Sequence, residues 1–256
     1  LSHFAPHNPL QALKDDYDHF SHINGKESEE LKVYSAMLKA LDRSVGRIQE
    51  TLEKNNLSEN TLIILTSDNG GANYIHLSDI NKPYRGWKLT HFEGGLHVPF
   101  LMKWPDKITG GKEFNYPIHG NDIFPTIAAA AGTKLPTDRV IDGVNLLPFI
   151  LDSNKEAPHE TLFWLQGRLQ TVLHKNWKLI TDQRLNKNWL FNIESDPYER
   201  INLANEMNLK VKELKALLNN HKEAQPPTLY ENSWSVPVMV DKHAGEAFEQ
   251  GDEFTY

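Results

Sequence analysis

Asn60-Thr61-Leu62-Ile63-Ile64-Leu65-Thr66-Ser67-Asp68-Asn69-Gly70-Gly71 runs from a short apolar strand pattern straight into an acid, an amide and two glycines. Two readings of its end compete. Asn-Gly beside an apolar run is a strong signal for a tight hairpin turn. A carboxylate and a carboxamide at a strand end are also hard oxygen donors, suited to Ca²⁺ or Mg²⁺ and poor for softer metals. Two such ligands fall short of the roughly six to eight oxygens that Ca²⁺ takes. The strand itself follows an amphipathic helix. Leu31, Tyr34, Leu38, Leu41, Val45, Ile48 and Leu52 alternate spacings of three and four, with Lys32, Lys39, Arg43, Arg47 and Glu50 on other faces. Helix, short loop and buried strand are the parts of an α/β sheet.

Downstream, residues 72–95 carry few periodic apolar positions and are rich in Gly, Asn, His, Tyr and Trp. They predict a long loop of the kind that carries function. Val98-Pro99-Phe100-Leu101-Met102 predicts a further strand, with Pro99 at an edge or irregular start. Asp122 is expected to cap a helix through Ile127 and Ala131 that stops at Gly132. From Pro158 onward the texture changes to short β-prone runs: 161–164, 169–173, 177–181 and 189–193. These predict a small antiparallel sheet, followed by a helix around Leu209–Leu218. The tail after Gln225 has no strong period and is expected to wrap the surface. The expected division is 1–155, a portion of a catalytic α/β domain, and 156–256, a smaller α+β subdomain with a tail.

Composition narrows the chemistry. The 256 residues have a formal net charge of -7, which argues against a broad nucleic-acid-binding face. An anionic substrate would have to be drawn by a few local cations. No apolar run is long enough to span a bilayer. The absence of cysteine excludes disulfides, zinc-thiolate sites and a cysteine nucleophile within these residues. The opening Leu1-Ser2-His3-Phe4-Ala5-Pro6-His7 is not a signal peptide and reads as the middle of something longer.

Two further positions could carry chemistry. Lys88 lies in a Gly-flanked loop, where its ammonium could place a point charge and hydrogen-bond donors on an anionic oxygen, or could be a solvated surface lysine. His7 lies between Pro6 and Pro9, whose rings stiffen the backbone around one imidazole, as a positioned general acid requires. With 12 histidines in the chain, an incidental role is the competing reading. His3, His91 and His97 are weaker candidates.

The order of these features resembles the type I, formylglycine-dependent sulfatases of the alkaline phosphatase superfamily. The resemblance rests on Pro6-His7-Asn8-Pro9-Leu10-Gln11, Val45-Gly46-Arg47-Ile48, the opening stretch, and Lys88 five residues before Glu93-Gly94-Gly95. It continues through Val98-Pro99, Trp104-Pro105, Asp122-Ile123-Phe124-Pro125-Thr126-Ile127 and Asp142-Gly143-Val144-Asn145-Leu146-Leu147-Pro148. Trp177-Lys178-Leu179-Ile180 and Leu190-Phe191-Asn192-Ile193-Glu194-Ser195-Asp196-Pro197 carry it to about residue 205. It implies the C-terminal part of a sulfatase-like α/β sandwich plus the smaller domain.

The resemblance also implies roles. Asp68 and Asn69 would be metal ligands, for Ca²⁺ with Mg²⁺ as a possibility. Lys88 would contact the sulfate and its bridging oxygen, and His7 would bind the sulfate or protonate the leaving alkoxide. Trp87 and His91 are further expected substrate contacts; Tyr74, His76 and Tyr84 could stack on a ring or simply pack. The implied reaction is sulfuric ester hydrolysis, with a sulfated glycan as the expected substrate, in a periplasmic, extracellular or lysosomal setting.

There are departures. The family usually has arginine where His97 stands. The Cys/Ser-x-Pro/Ala-x-Arg motif that becomes formylglycine is absent, and so are the paired aspartates that complete the metal site. The expectation is therefore a C-terminal half, inactive alone, whose partner is the N-terminal half of a sulfatase. The alternatives are a phosphonate monoester or phosphodiester hydrolase of the same superfamily, and a non-catalytic glycan-binding or structural fragment.

Overall fold

A computed structural model describes residues 1–152, 156–230 and 236–256. The long amphipathic pattern forms α2 (Ser28–Lys54), preceded by the short α1 (Lys14–Asp18). Glu29 and Glu30 in its first turn and Lys54 in its last complement the helix dipole. α1 packs on α2 through Asp16, a buried carboxylate that accepts both Arg43 N–H groups at 2.7 and 2.8 Å. Part of the apolar stripe stays open to solvent, including Leu31 and Leu38.

The opening stretch supplies β1 (Ile63–Thr66). After the loop, a single helical turn, α3 (Glu93–Leu96), leads into β2 (Phe100–Lys103). β2 pairs antiparallel with β1, Ile63 opposite Lys103 and Thr66 opposite Phe100. The strand begins directly after Pro99, which has no N–H to give the ladder.

α4 (Ile123–Ala130) is the helix expected after Asp122, and Gly132 at φ +66° follows its end. The capping expectation needs correction. Asp122 itself has helical dihedrals and makes no side-chain cap to α4. Its fully buried carboxylate instead accepts the backbone N–H of His119 (2.8 Å) and of Val144 (2.8 Å) and a bond from His159 Nε2 (2.9 Å). A 3-10 turn over Gly120–Asp122 starts the helical path early, so Asp122 becomes a hub that ties residues 119, 144 and 159 together. The brief α5 (Leu147–Ile150) follows.

The second half builds β3 (Thr161–Gln166), β4 (Leu169–His174), β5 (Trp177–Asp182) and β6 (Lys187–Asn192), a four-stranded antiparallel meander in chain order. Strand alternation sends Val172, Leu179 and Leu190 to one face, where α6 (Asn208–Ala224) covers them with Val211, Leu214 and Leu218. Leu169, Ile180, Trp189 and Phe191 point to the other face and meet Phe92 and Val240.

Two consequences follow for the expected organisation. The boundary placed at residue 155 lies outside the described residues. The tail runs over the surface for much of its length, with Leu229, Tyr230 and Phe248 exposed, but it also forms the two-residue strands β7 (Val238–Met239) and β8 (Phe254–Thr255), and Val240 is fully buried in the core beside Phe92. The whole is a mixed α/β structure with antiparallel sheets.

Candidate active site

The site grows from the end of β1. Ser67 Oγ donates to the Asn69 carbonyl at 2.9 Å, and Asp68 Oδ1 accepts the Asn69 N–H at 3.0 Å. These local bonds turn the chain out of the strand. No hairpin follows, because the antiparallel partner of β1 is β2. The strand end is instead pinned to the loop. The Gly70 N–H donates to the Gly95 carbonyl (3.1 Å), and the Lys88 N–H donates to the Gly71 carbonyl (2.9 Å). Asn81 acts as a staple: its Oδ1 accepts the Gly71 N–H (2.7 Å), and its Nδ2 donates to the carbonyls of Gly71 (2.9 Å) and Gly86 (3.0 Å).

These bonds explain the glycines. A Cβ on Gly70 would lie 1.7 Å from the Gly94 carbonyl oxygen, and one on Gly94 would lie 2.3 Å from that of Gly86. Backbone packs on backbone here, so the space beside Gly70 holds the Glu93-Gly94-Gly95 turn rather than an approaching ion or substrate.

Lys88 and His7, 81 residues apart, come together: Nζ lies 3.4 Å from Nε2. His7 Nδ1 is 2.8 Å from the Asn8 carbonyl, which can only accept, so Nδ1 carries the proton. Nε2 then presents its lone pair to the Lys88 ammonium, which donates to it. His7 is exposed and Lys88 half-buried, so the pair faces solvent from an ordered backbone.

Trp87 and His91 lie elsewhere. Both are 4% exposed, and the structure gives them packing positions rather than substrate contacts. The backbone N–H of Trp87 donates to Thr90 Oγ1 (3.0 Å) inside the loop, and His91 Nδ1 meets Thr171 Oγ1 on β4 (2.9 Å). Burial, helped by the charge of Lys178, pushes the His91 pKa down to about 3, so it stays neutral. A loop of this length builds its own small core, and its large side chains serve that first. Among the other ring candidates, Tyr84 stacks on His97 at 4.4 Å, while Tyr74 remains exposed.

The sequence reading missed the charges beneath the loop. Lys178 on β5, 1% exposed, pairs with Glu93 Oε1 (2.6 Å) and Glu199 Oε1 (2.9 Å). Glu199 Oε2 also accepts the Glu93 N–H at 2.6 Å, and Glu93 Oε2 meets His97 Nδ1 at 2.8 Å. Burial pushes the Glu93 carboxyl up, but Lys178 and His97 outweigh it and hold its pKa at about 2. Burial raises that of Glu199 despite Lys178. A signal for this existed: Lys178 and Ile180 share the inward face of a strand, an unusual address for an unpaired lysine.

For a cation, the donor set is right in kind and short in number. Asp68 is exposed, and Asn69 spends its Nδ2 on the Gly70 carbonyl (2.9 Å), which leaves its side-chain oxygen as the donor atom. Among the described residues no group of three or more His, Cys, Asp or Glu could hold a metal ion.

Comparison with known proteins supplies the family. The sulfatase family model matches residues 1–133, and the model described as N-sulphoglucosamine sulphohydrolase, C-terminal, matches residues 86–225. Steryl-sulfatase of Rattus norvegicus is 43% identical over 136 residues, covering 51% of this chain and 24% of that protein. N-acetylgalactosamine-6-sulfatase of Homo sapiens is 38% identical over 120 residues, covering 46% of this chain and 23% of that protein. The crystal structure of Ps i-CgsB in complex with k-i-k-neocarrahexaose superposes with a TM-score of 0.77 at 31% identity, over 90% of this chain and 51% of that one. The matches therefore span about a quarter of those curated relatives and about half of the solved chain.

Proposed function

This chain belongs to the sulfatase family, and on that premise we propose that it supplies the leaving-group side of a sulfuric ester hydrolase site. The observation that carries the reading is the Lys88–His7 pair, 3.4 Å apart, in which Lys88 stands on a loop whose backbone is bonded to the end of β1 just past Asp68 and Asn69. In hydrolysis the S–O bond breaks and its electron pair stays on the bridging oxygen, which must gain a proton. Lys88 brings a positive charge and N–H donors to that oxygen, where they are worth most as negative charge develops. His7, whose Nε2 accepts from Lys88, can take a proton there and, as the imidazolium, donate it to a sulfate oxygen or pass it to the leaving oxygen to complete the alcohol. A Ca²⁺ or Mg²⁺ held in part by Asp68 and Asn69 would polarise the sulfate oxygens.

The nucleophile does not come from these 256 residues, which hold no cysteine and no serine in the formylglycine motif. We assign it, with the remaining metal acids, to a further segment that completes the site, the N-terminal half of a sulfatase. An apolar surface suits that partner: Leu62, Ile64, Trp104, Ile123 and Ile127 line a groove beside β1, and Leu101, Phe124 and Ile127 are 59%, 51% and 49% exposed. On this reading residues 1–155 belong to the catalytic α/β domain and 156–256 to the smaller subdomain.

The proposed substrate is a sulfated carbohydrate, supported by a relative named for a sulfated amino sugar and a 31%-identical structure solved with a neocarrahexaose. The proposed setting is periplasmic, extracellular or lysosomal, as for the family; no helix among the described residues is long and apolar enough to cross a membrane.

The test is turnover of sulfated mono- and oligosaccharides, and of matched phosphate esters, by the enzyme assembled from this chain and its completing segment. Lys88→Ala should cost about 10²–10³-fold in kcat, and His7→Ala about 10²-fold or more. A Lys88→Ala enzyme that keeps wild-type kcat, or a preference for phosphate esters, would overturn the assignment.

A further inference from the structure

Residues 226–256 lie beyond both family-model matches, yet part of this tail reaches the loop that carries Lys88. Arg85, three residues before Lys88, is the point of contact. Its Nε and Nη2 donate to Asp241 Oδ1 and Oδ2, both at 2.6 Å, in a bidentate fork. Nη2 also donates to Glu253 Oε2 at 2.5 Å, and the guanidinium lies 5.0 Å over the Phe92 ring. Glu253 is itself anchored on β6 by an ion pair with Lys187 and a bond from Trp189 Nε1 at 3.3 Å. The two acids stand side by side because the Val240 N–H donates to the Glu253 carbonyl at 2.8 Å, at the end of the β7–β8 ladder. Further along, the Ala244 N–H donates to the Asn73 carbonyl at 3.0 Å.

The other end of this chain of contacts is the candidate site. The Arg85 carbonyl accepts the Gly94 N–H at 2.7 Å, Asn81 holds the Gly86 carbonyl, and the Lys88 N–H is bonded to Gly71. Arg85 thus sits between a clamp of two tail carboxylates and the backbone that aims Lys88. We propose that the strap of residues 236–256 is a positioning element for Lys88, acting through the Asp241–Arg85–Glu253 clamp. This rests on the assignment of Lys88 to the leaving oxygen. None of the three clamp residues needs to touch substrate. Their work is to hold the Lys88 loop in one place, and a displacement of about 1 Å at such a site can cost 10²-fold in rate.

Two measurements test it. The first uses the chain as it is: amide hydrogen exchange at Lys88, whose N–H reports on the bond to Gly71. Asp241→Asn, at the half-exposed arm of the clamp, and Glu253→Gln should each speed that exchange about tenfold or more through local opening of the loop. The second uses the assembled enzyme. Both variants should lower kcat by about ten- to hundredfold with KM within about twofold, and Asp241→Glu, which keeps the charge, should recover most of the loss. If the variants lower Tm but leave Lys88 exchange and kcat unchanged, the strap is only a brace and the proposal falls. If the wild-type assembly turns over no sulfate ester, the functional reading fails separately, and the exchange data alone decide whether the strap positions Lys88.

Discussion

Gly70 and His91 show how single residues here answer to their surroundings rather than to the chemistry their types suggest. At Gly70 any Cβ would meet the Gly94 carbonyl oxygen at 1.7 Å, a backbone atom that cannot swing aside. Gly70→Ala should therefore cost at least about 2 kcal/mol and free the Lys88 loop from β1, measured by chemical denaturation with amide exchange at position 70, whose N–H donates to the Gly95 carbonyl, and at Lys88. His91 is neutral inside the fold, with a pKa near 3, while in the unfolded chain it titrates near 6.5. Between these values the unfolded chain binds a proton that the folded one refuses, so stability falls as pH drops from 6.5 towards 3. The full swing is on the order of 5 kcal/mol. Denaturation curves from pH 7 to 4.5 should show a shallower decline for His91→Gln than for the wild type. Equal slopes would mean that His91 is protonated in the folded state. Glu93 adds its own loss only lower, as pH falls from about 4.5 towards 2.

At the scale of elements, the loop between β1 and β2 is ordered by what lies under it. Its Phe92 enters the core of the β3–β6 sheet, and Glu93 reaches Lys178 on β5. The three charges are not equivalent. Glu93 carries the counter-charge for Lys178, whereas burial pushes Glu199 towards its neutral form. Lys178→Met would leave Glu93 buried without its cation and should cost about 3–5 kcal/mol. Glu199→Gln keeps an acceptor for the Glu93 N–H and should cost about 1 kcal/mol or less. Urea unfolding of the two variants checks this, and a Glu199→Gln loss equal to that of Lys178→Met would show both carboxylates to be charged. The elements themselves were legible in the sequence. The α2 stripe, the four β runs and Pro99 ahead of β2 all express local periodicity or backbone chemistry, and they form where they were expected. Asp122 was misplaced because a cap and a buried hub use the same carboxylate, and only the distant partners Val144 and His159 tell them apart.

For the whole molecule, the exposed residues of β1, β2 and α4 and the absent nucleophile motif point the same way. On the proposed function, the site needs groups that this chain does not contain. Assayed alone with added Ca²⁺, it should give no turnover of an aryl sulfate above background, and activity appearing without a completing segment would sink that view.

Motifs in register from Pro6 to Asp196 were enough to establish the family, and with it the expectation that a strand-end acid and amide work with one loop lysine. The sequence by itself also determined the elements, because periodicity and turn chemistry are local. Tertiary structure alone decided which loop residues face the site. It turned Trp87 and His91 inward, spent the space beside Gly70 on backbone, and placed Lys178 and the tail's Asp241 and Glu253 against the loop that carries Lys88. The physical reason is that burial and charge pairing depend on partners about 80 to 170 residues away in the chain, such as Glu93 for Lys178 and Glu253 for Arg85, and no local pattern encodes them.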